Sequence, residues 1–167
     1  MKKLILATLA AGMLLGASCT KQGPVGPQGP TGNANVIGSD HVTVSSWAKT
    51  GNTYSATFAY ADITQSIANF GLVEVYKLYT SDNSWTNLPD INSGISTVFN
   101  FAPGTYTIYV ESIDPTFVTP FPGTITFRVV VIPSSVRQAN PNTNWKNYDE
   151  AMRAMSTAKS QGLISSY

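Results

Sequence analysis

The sequence is poor in the residues that build most catalytic and metal sites. Its 167 residues include one cysteine and one histidine, which excludes an intrachain disulfide and argues against a Cys/His zinc site or a Ser-His-Asp triad. Charged residues make up only 11%, and 10 basic residues stand against 9 acidic ones. No basic excess therefore points to nucleic acid. We predict a protein that is not an enzyme, with no catalytic residues, no cofactor, no metal and no nucleic-acid partner.

The polar residues that are abundant are small and neutral. The chain contains 17 Ser, 19 Thr and 12 Asn, a composition that favours strands and turns over long charged helices. Its length is sufficient for one domain of ordinary size.

The amino terminus has the pattern of an export signal. Lys2 and Lys3 supply a positive start, and residues 4–17 are apolar or small. Fourteen helical residues span about 21 Å, which is too short for a hydrocarbon layer of about 30 Å. We therefore predict a signal peptide over residues 1–18 rather than a membrane-spanning helix.

The end of this segment, Gly16-Ala17-Ser18-Cys19, resembles the lipobox of bacterial lipoproteins. The resemblance implies cleavage before Cys19 and acylation of that cysteine, which would anchor the exported chain in the bilayer. Position 20 is Thr rather than Asp, so the resemblance implies the outer membrane, with the face left open. A lipobox usually has a large aliphatic residue three places before the cysteine, whereas here Leu15 lies four places before Cys19. An ordinary signal peptide with an incidental cysteine is the alternative.

A collagen-like segment follows the cysteine. Residues 23–34 form four consecutive Gly-X-Y triplets, three of them with proline after glycine. We predict that residues 19–35 form the acylated terminus and a stiff extended spacer, of about 37 Å over the 12 triplet residues. The alternative is a short trimerisation stem, which would make the protein a homotrimer.

These features together resemble a family of small Gram-negative bacterial lipoproteins with a short collagen-like segment and a β-sandwich domain. The resemblance also rests on residues 32–36, 71–89, 127–133 and 147–150. It covers most of the chain but carries no catalytic motif, and the family has no assigned activity. The resemblance therefore supports an architecture and leaves the function open.

Alternating apolar and polar residues dominate the remaining segment, residues 36–167. Gly51, Gly104 and Gly123 fall between the strand candidates, where turns need glycine. We predict one mainly β domain, an antiparallel β-sandwich of about six or seven strands, with a central strand over 125–132 that is apolar on both faces in its second half. The other strand candidates are residues 42–44, 53–60, 72–79, a short one near Trp85, 95–101 and 106–111.

One helix is predicted near the carboxyl end. Asn147 and Glu150 form a start of the capping-box type, residues 148, 151, 152 and 155 form one apolar stripe, and Gly162 can end the helix. We expect this helix to close one end or edge of the sheet. The alternative is a helix whose methionine-rich face binds a partner.

Three polar features give weak signals for a site. His41 lacks a second histidine or cysteine for a metal site, so we interpret it as a polar residue at the strand edge. Residues 90–94 resemble the start of a calcium loop, but the twelfth position is Phe101 where a glutamate is needed, so we interpret them as an Asx turn between strands. Glu74 and Glu111 are candidates for a glycosidase pair only if they lie close together.

The aromatic residues are the better candidates for a contact. Those that do not all fit the inward positions of their strands are Trp47, Trp85, Trp145, Tyr76, Tyr79 and Tyr109. Flat aromatic rings stack on sugars or anchor protein partners, but they also fill the open ends of small sandwiches. Our hypothesis is a lipid-anchored protein that displays its sandwich for structural or adhesive contact with a protein. The alternative is a carbohydrate-binding accessory module that uses the Trp and Tyr residues.

Overall fold

The computed structural model describes residues 39–164. The predicted signal peptide, Cys19 and the collagen-like spacer precede this range, so those predictions lie outside the described residues. Within the described range, no helix has the length and apolar character needed to cross a membrane.

Within residues 39–164, nine antiparallel strands form two sheets. Sheet I has the order β1-β9-β4-β5, and sheet II has the order β2-β3-β8-β7-β6. The strands are β1 Ser39–Val44, β2 Ala48–Thr50, β3 Thr53–Ala59, β4 Leu72–Tyr79, β5 Ser84–Asn87, β6 Asp90–Asn92, β7 Ile95–Ala102, β8 Thr105–Ser112 and β9 Ile125–Ile132. The predicted mainly β, antiparallel two-sheet architecture is confirmed, and β9 lies inside sheet I between β1 and β4, as its apolar sequence indicates.

The number of strands is larger than the six or seven predicted. The two additional strands are β2 and β6, which contain three residues each. Three residues are too few for a period-two pattern to be recognised. Both strands form by pairing with a longer neighbour, β3 and β7 respectively.

The main core lies between the sheets and follows from the alternation along each strand. In β9, Phe127, Val129 and Val131 face sheet II, and in β8, Tyr106 and Ile108 face sheet I; all five are almost completely buried. Strand β4 adds Val73 and Val75 to the same cluster. Burial of such side chains contributes about 1.5–3 kcal/mol each, so this layer holds the two sheets together.

A second core covers the outer face of sheet I. Val130 and Ile132, which alternate with the inward residues of β9, pack with Ala151, Met155 and Ala158 of the C-terminal helix. The prediction that this helix closes an end or edge of the sheet is therefore wrong. The physical reason is that the outward-facing side chains of β9 are also apolar, so the outer face of sheet I is buried by packing against the helix.

Three helices are present among the described residues: α1 Gln65–Phe70, α2 Ser134–Ala139 and α3 Tyr148–Ser160. The predicted C-terminal helix is confirmed, and the oxygen of its cap, Asn147 Oδ1, accepts a hydrogen bond from Glu150 N at 3.0 Å. Glu150 accepts from Asn144 N instead of reaching back to Asn147. The two six-residue helices were not predicted, because they are too short to show a helical period.

The register of sheet I defines two ends of the sandwich. The apical end is where β1 finishes and β9 begins, since Val44 pairs with Ile125. The basal end is where the described chain enters at Ser39, which pairs with Val130 near the end of β9. Residues 113–124, which join β8 to β9, lie at the apical end, and we call them the apical loop.

Candidate functional site

The apical loop carries an unusual concentration of exposed apolar side chains. Ile113, Phe117, Val118 and Phe121 are 55%, 57%, 70% and 60% exposed. In residues 41–164 only two other large apolar side chains, Phe70 and Ile91, are comparably exposed, and they lie in different parts of the fold. Grouped exposed apolar side chains usually mark a site of interaction, so this loop is the strongest candidate for a contact surface.

Side chains from the body of the sandwich hold the backbone of the loop. Asn52, in the turn between β2 and β3, donates from Nδ2 to Phe117 O at 2.8 Å and accepts at Oδ1 from Thr119 N at 2.7 Å. Thr119 is 1% exposed, and its hydroxyl accepts from Ser112 N at 2.8 Å. The exposed tip is therefore fixed at its middle by a buried threonine and an asparagine.

Proline and aromatic contacts restrict the loop further. Pro115, Pro120 and Pro122 fix φ at three positions and remove three N–H donors. Trp47 donates from Nε1 to Gly123 O at 2.8 Å, and the ring of Phe121 meets that of Tyr54 edge to face at 5.8 Å between centroids. A loop ordered in this way loses little conformational entropy when it binds.

The loop is also almost without charge. Its one ionisable side chain is Asp114, whose carboxylate accepts hydrogen bonds from the Thr116 hydroxyl at 2.7 Å and the Thr116 amide at 2.8 Å. These two hydrogen bonds lower the pKa of Asp114 below its usual value of 3.8. The arrangement offers a rigid apolar tip and no group suited to acid–base chemistry.

The aromatic residues singled out in the sequence do not form one surface. Trp47 lies between β1 and β2 at the apical end, half-buried against the main core. Trp85 lies on the outer face of sheet I, where its ring stacks with His41 at 5.2 Å and with Tyr148 at 5.3 Å between centroids. Trp85 thus lies between His41 of β1 and Tyr148 at the start of α3.

Tyr76 is completely buried beneath α3. Its hydroxyl donates to the carbonyl oxygen of Trp145, and its ring meets Tyr148 edge to face. Burial, followed by the nearby Glu74 carboxylate, raises the pKa of Tyr76 above its ordinary value of 10. A fully buried ring offers no surface to a ligand, so in this arrangement Tyr76 ties α3 to sheet I.

Tyr79 belongs to a polar cluster that joins the two sheets at one edge. Its hydroxyl lies within hydrogen-bond distance of Lys77, Asp90 and Asn92. Lys77 forms an ion pair with Asp90 at 3.0 Å, which links β4 in sheet I to β6 in sheet II. Of residues 90–94, which we interpreted as an Asx turn between strands, only Ser93 and Gly94 form the turn, both with positive φ, whereas Asp90–Asn92 is strand β6.

Trp145 lines a groove at the basal end, next to Phe70, which is 67% exposed. We call this the basal groove. It has a volume of about 440 Å³ and is lined by Phe70, Leu72, Ser134, Arg137, Gln138, Pro141, Thr143 and Trp145. Of the residues predicted as contacts, Trp145 lines this groove, and Trp85 lines a second concavity beside the start of α3.

The glycosidase pair does not form. Glu74 lies on the outer face of sheet I, where Asn87 Nδ2 donates to it at 2.7 Å, and Glu111 lies on the outer face of sheet II, where it accepts from Thr53 at 3.1 Å. The two carboxylates therefore stand on opposite sides of the sandwich. Among the described residues, no three His, Cys, Asp or Glu side chains come together as a metal-binding group.

The apical loop was not predicted from the sequence as a contact surface. Its residues show no alternation, and three prolines mark it as an ordinary connection. The available signal was the composition of residues 115–122, which contain two phenylalanines, a valine and three prolines but no charged residue. Exposure of those side chains depends on Asn52 and Thr119, whose contacts the sequence does not reveal.

No protein-family model matches the chain, and no curated protein or solved structure matches it significantly.

Proposed function

We propose that this protein is an exported, lipid-anchored lipoprotein whose β-sandwich makes a structural or adhesive contact with a protein partner and catalyses no reaction. Acylated Cys19 anchors the chain in the outer membrane, the Gly-X-Y segment acts as a spacer, and the sandwich is the displayed part. The observation that carries the contact is the group of exposed apolar side chains on the fixed apical loop.

The position of this loop supports display. The described chain enters at the basal end through Ser39, whereas the apical loop lies beyond the opposite end of β1 and β9. The apical loop therefore lies away from the end at which the described chain begins. The tip is small, rigid and nearly uncharged, so the partner surface that fits it is an apolar pocket with few charges.

Two experiments test the proposal separately. Cys19→Ala should move the protein from the membrane fraction to the soluble fraction, because the acyl chains provide the anchor. A photo-crosslinking amino acid at Val118 should trap one defined protein in intact cells, and the variant Phe117→Ser/Phe121→Ser should lower the yield at least tenfold. The same crosslinker at Thr57, on the outer face of sheet II, is the matched control.

Each part of the proposal can fail independently. Unchanged membrane retention of Cys19→Ala would contradict the anchor. A crosslinking pattern at Val118 that equals the pattern at Thr57, or that survives the double serine substitution, would contradict the contact through the apical loop.

A further inference from the structure

The basal groove combines the features of a small ligand site. It lies between the end of α1, the start of β4, helix α2 and residues 141–145. Its volume of about 440 Å³ falls within the range of about 300–1,000 Å³ that is usual for sites of small molecules. The apical loop lies at the other end of the sandwich, so the groove is separate from the contact surface proposed above.

Two aromatic side chains flank the groove. Phe70 is 67% exposed, although it is the last residue of α1, a helix whose Ile67 is buried. Trp145 is half-buried, and its carbonyl oxygen is held by the Tyr76 hydroxyl, which fixes the backbone that carries the indole. Exposed aromatic rings at the rim of a polar groove suit the flat C–H faces of a sugar ring, which combine apolar surface with hydroxyls at the edge.

The polar lining indicates what kind of sugar would fit. Ser134, Gln138 and Thr143 supply neutral donors and acceptors for hydroxyl groups. The one charged lining residue is Arg137, and the lining contains no acidic side chain. Arg137 donates from Nη1 to Gly71 O at 3.2 Å, so its guanidinium is held at the groove, where a planar fork binds carboxylates well.

We propose that the basal groove binds a short saccharide that carries a carboxylate, with Phe70 and Trp145 against the sugar rings and Arg137 on the carboxylate. This binding site lies outside the proposed function, because it is at the opposite end of the sandwich and needs neither the lipid anchor nor the apical loop. It does not require a chemical reaction.

The test uses the full chain purified from membranes in detergent and titrated with two matched sugars. N-acetylmuramic acid and N-acetylglucosamine differ by one lactyl ether that carries a carboxylate. We expect tryptophan fluorescence to change with the first sugar at millimolar concentration or below, and its affinity to be at least fivefold higher than that of the second. The variant Trp145→Phe should remove most of the fluorescence change.

Three further variants separate the roles of the groove residues. Arg137→Gln should lower the affinity for the acidic sugar to that of the neutral sugar, and Arg137→Lys should give an intermediate value because the charge remains without the fork. Phe70→Ala should weaken both sugars at least threefold. Phe121→Ala removes a ring of similar exposure from the apical loop and should leave both affinities unchanged.

Several outcomes would overturn the proposal. These are no fluorescence change with either sugar up to about 10 mM, equal affinity for the two sugars, or an equal loss with Phe70→Ala and Phe121→Ala. Thermal unfolding of each variant shows whether a lost affinity reflects a lost fold. Since all these measurements are made in detergent without a partner protein, their failure is distinguishable from failure of the membrane and crosslinking experiments.

Discussion

The two ends of the sandwich both expose phenylalanine, but in different settings. At the apical end Phe117 and Phe121 project from a twelve-residue loop that has few charges and is fixed from below by Asn52. At the basal end Phe70 stands beside a concave surface that includes an arginine and several neutral polar side chains. A convex apolar tip suits insertion into a partner, whereas a polar groove with an aromatic rim suits enclosure of a ligand.

The comparison shows that exposure alone does not define the kind of site. Phe70 and Phe121 have similar exposed fractions, 67% and 60%, yet their neighbours differ in curvature and charge. The same contrast extends to the glycines of the two ends. Gly71 lies in tight contact with its neighbours, whereas Gly123 has open space around the position of a side chain but a φ of +71°.

Alanine at these two glycines should lower the free energy of unfolding by very different amounts. In Gly71→Ala the new Cβ would lie 2.9 Å from Ile132 O and 3.0 Å from the Cα of Ile67, so backbone at the basal end must shift. We expect a loss of about 3 kcal/mol in the free energy of unfolding. Gly123→Ala meets no atom within 4 Å and should cost only about 1 kcal/mol, from its left-handed backbone.

Urea denaturation of both variants beside the unsubstituted chain measures this difference. Gly51→Ala, at another apical turn with positive φ and open space, is the control and should resemble Gly123→Ala. A larger loss for Gly123→Ala than for Gly71→Ala would show that the basal contact is more adaptable than its distances indicate.

The sequence predicted the layers of the fold better than their details. The second half of residues 125–132, which is apolar on both faces, correctly placed β9 inside a sheet, and Asn147 correctly marked the start of α3, because both signals are local. The position of α3 was not predictable in the same way. It depends on Val130 and Ile132 being matched by Ala151 and Met155, which are distant in the chain.

The second prediction tests how the apical loop is held. Asn52→Ala removes both side-chain hydrogen bonds to the backbone at Phe117 and Thr119. We expect a loss of about 1–2 kcal/mol in stability and amide hydrogen exchange at Thr119 that is about tenfold faster. Asn69→Ala removes an exposed asparagine near the basal end, whose Oδ1 accepts a hydrogen bond from Gln65 Nε2 in the same short helix. This variant should change neither quantity. Unchanged exchange at Thr119 would mean that the prolines alone order the loop.

The candidate sites were harder to predict than the fold because aromatic residues serve several purposes. Tyr76 and Trp85 looked like surface residues from strand alternation, since the outer face of an antiparallel sheet is often exposed to solvent. That face is covered by α3, which turns Tyr76 into a core residue. Phenylalanine is usually buried, but Phe117 and Phe121 are exposed, because Thr119 takes the buried position between them.

The stability of the fold should depend weakly on pH, and in opposite directions for Glu74 in sheet I and Asp114 in the apical loop. Burial raises the pKa of Glu74 above its ordinary value of 4.5, although the hydrogen bond from Asn87 and the charge of Lys146 oppose the shift. The folded chain therefore holds this proton more tightly than the unfolded chain. The stability that Glu74 contributes is complete below pH 4.5 and is lost as the pH rises through the raised pKa.

Asp114 in the apical loop should show the opposite dependence. Its pKa is lowered by hydrogen bonds from Thr116, so its contribution is present above pH 3.8 and is lost as the pH falls through the lowered pKa. Urea denaturation between pH 3 and 7 should show that Glu74→Gln removes a decline toward neutral pH, with a gain of less than about 1 kcal/mol at pH 7, whereas Asp114→Asn removes a decline only at the acidic end. If both variants altered the same part of the pH profile, the contrast between a buried carboxyl and a hydrogen-bonded surface carboxyl would be wrong.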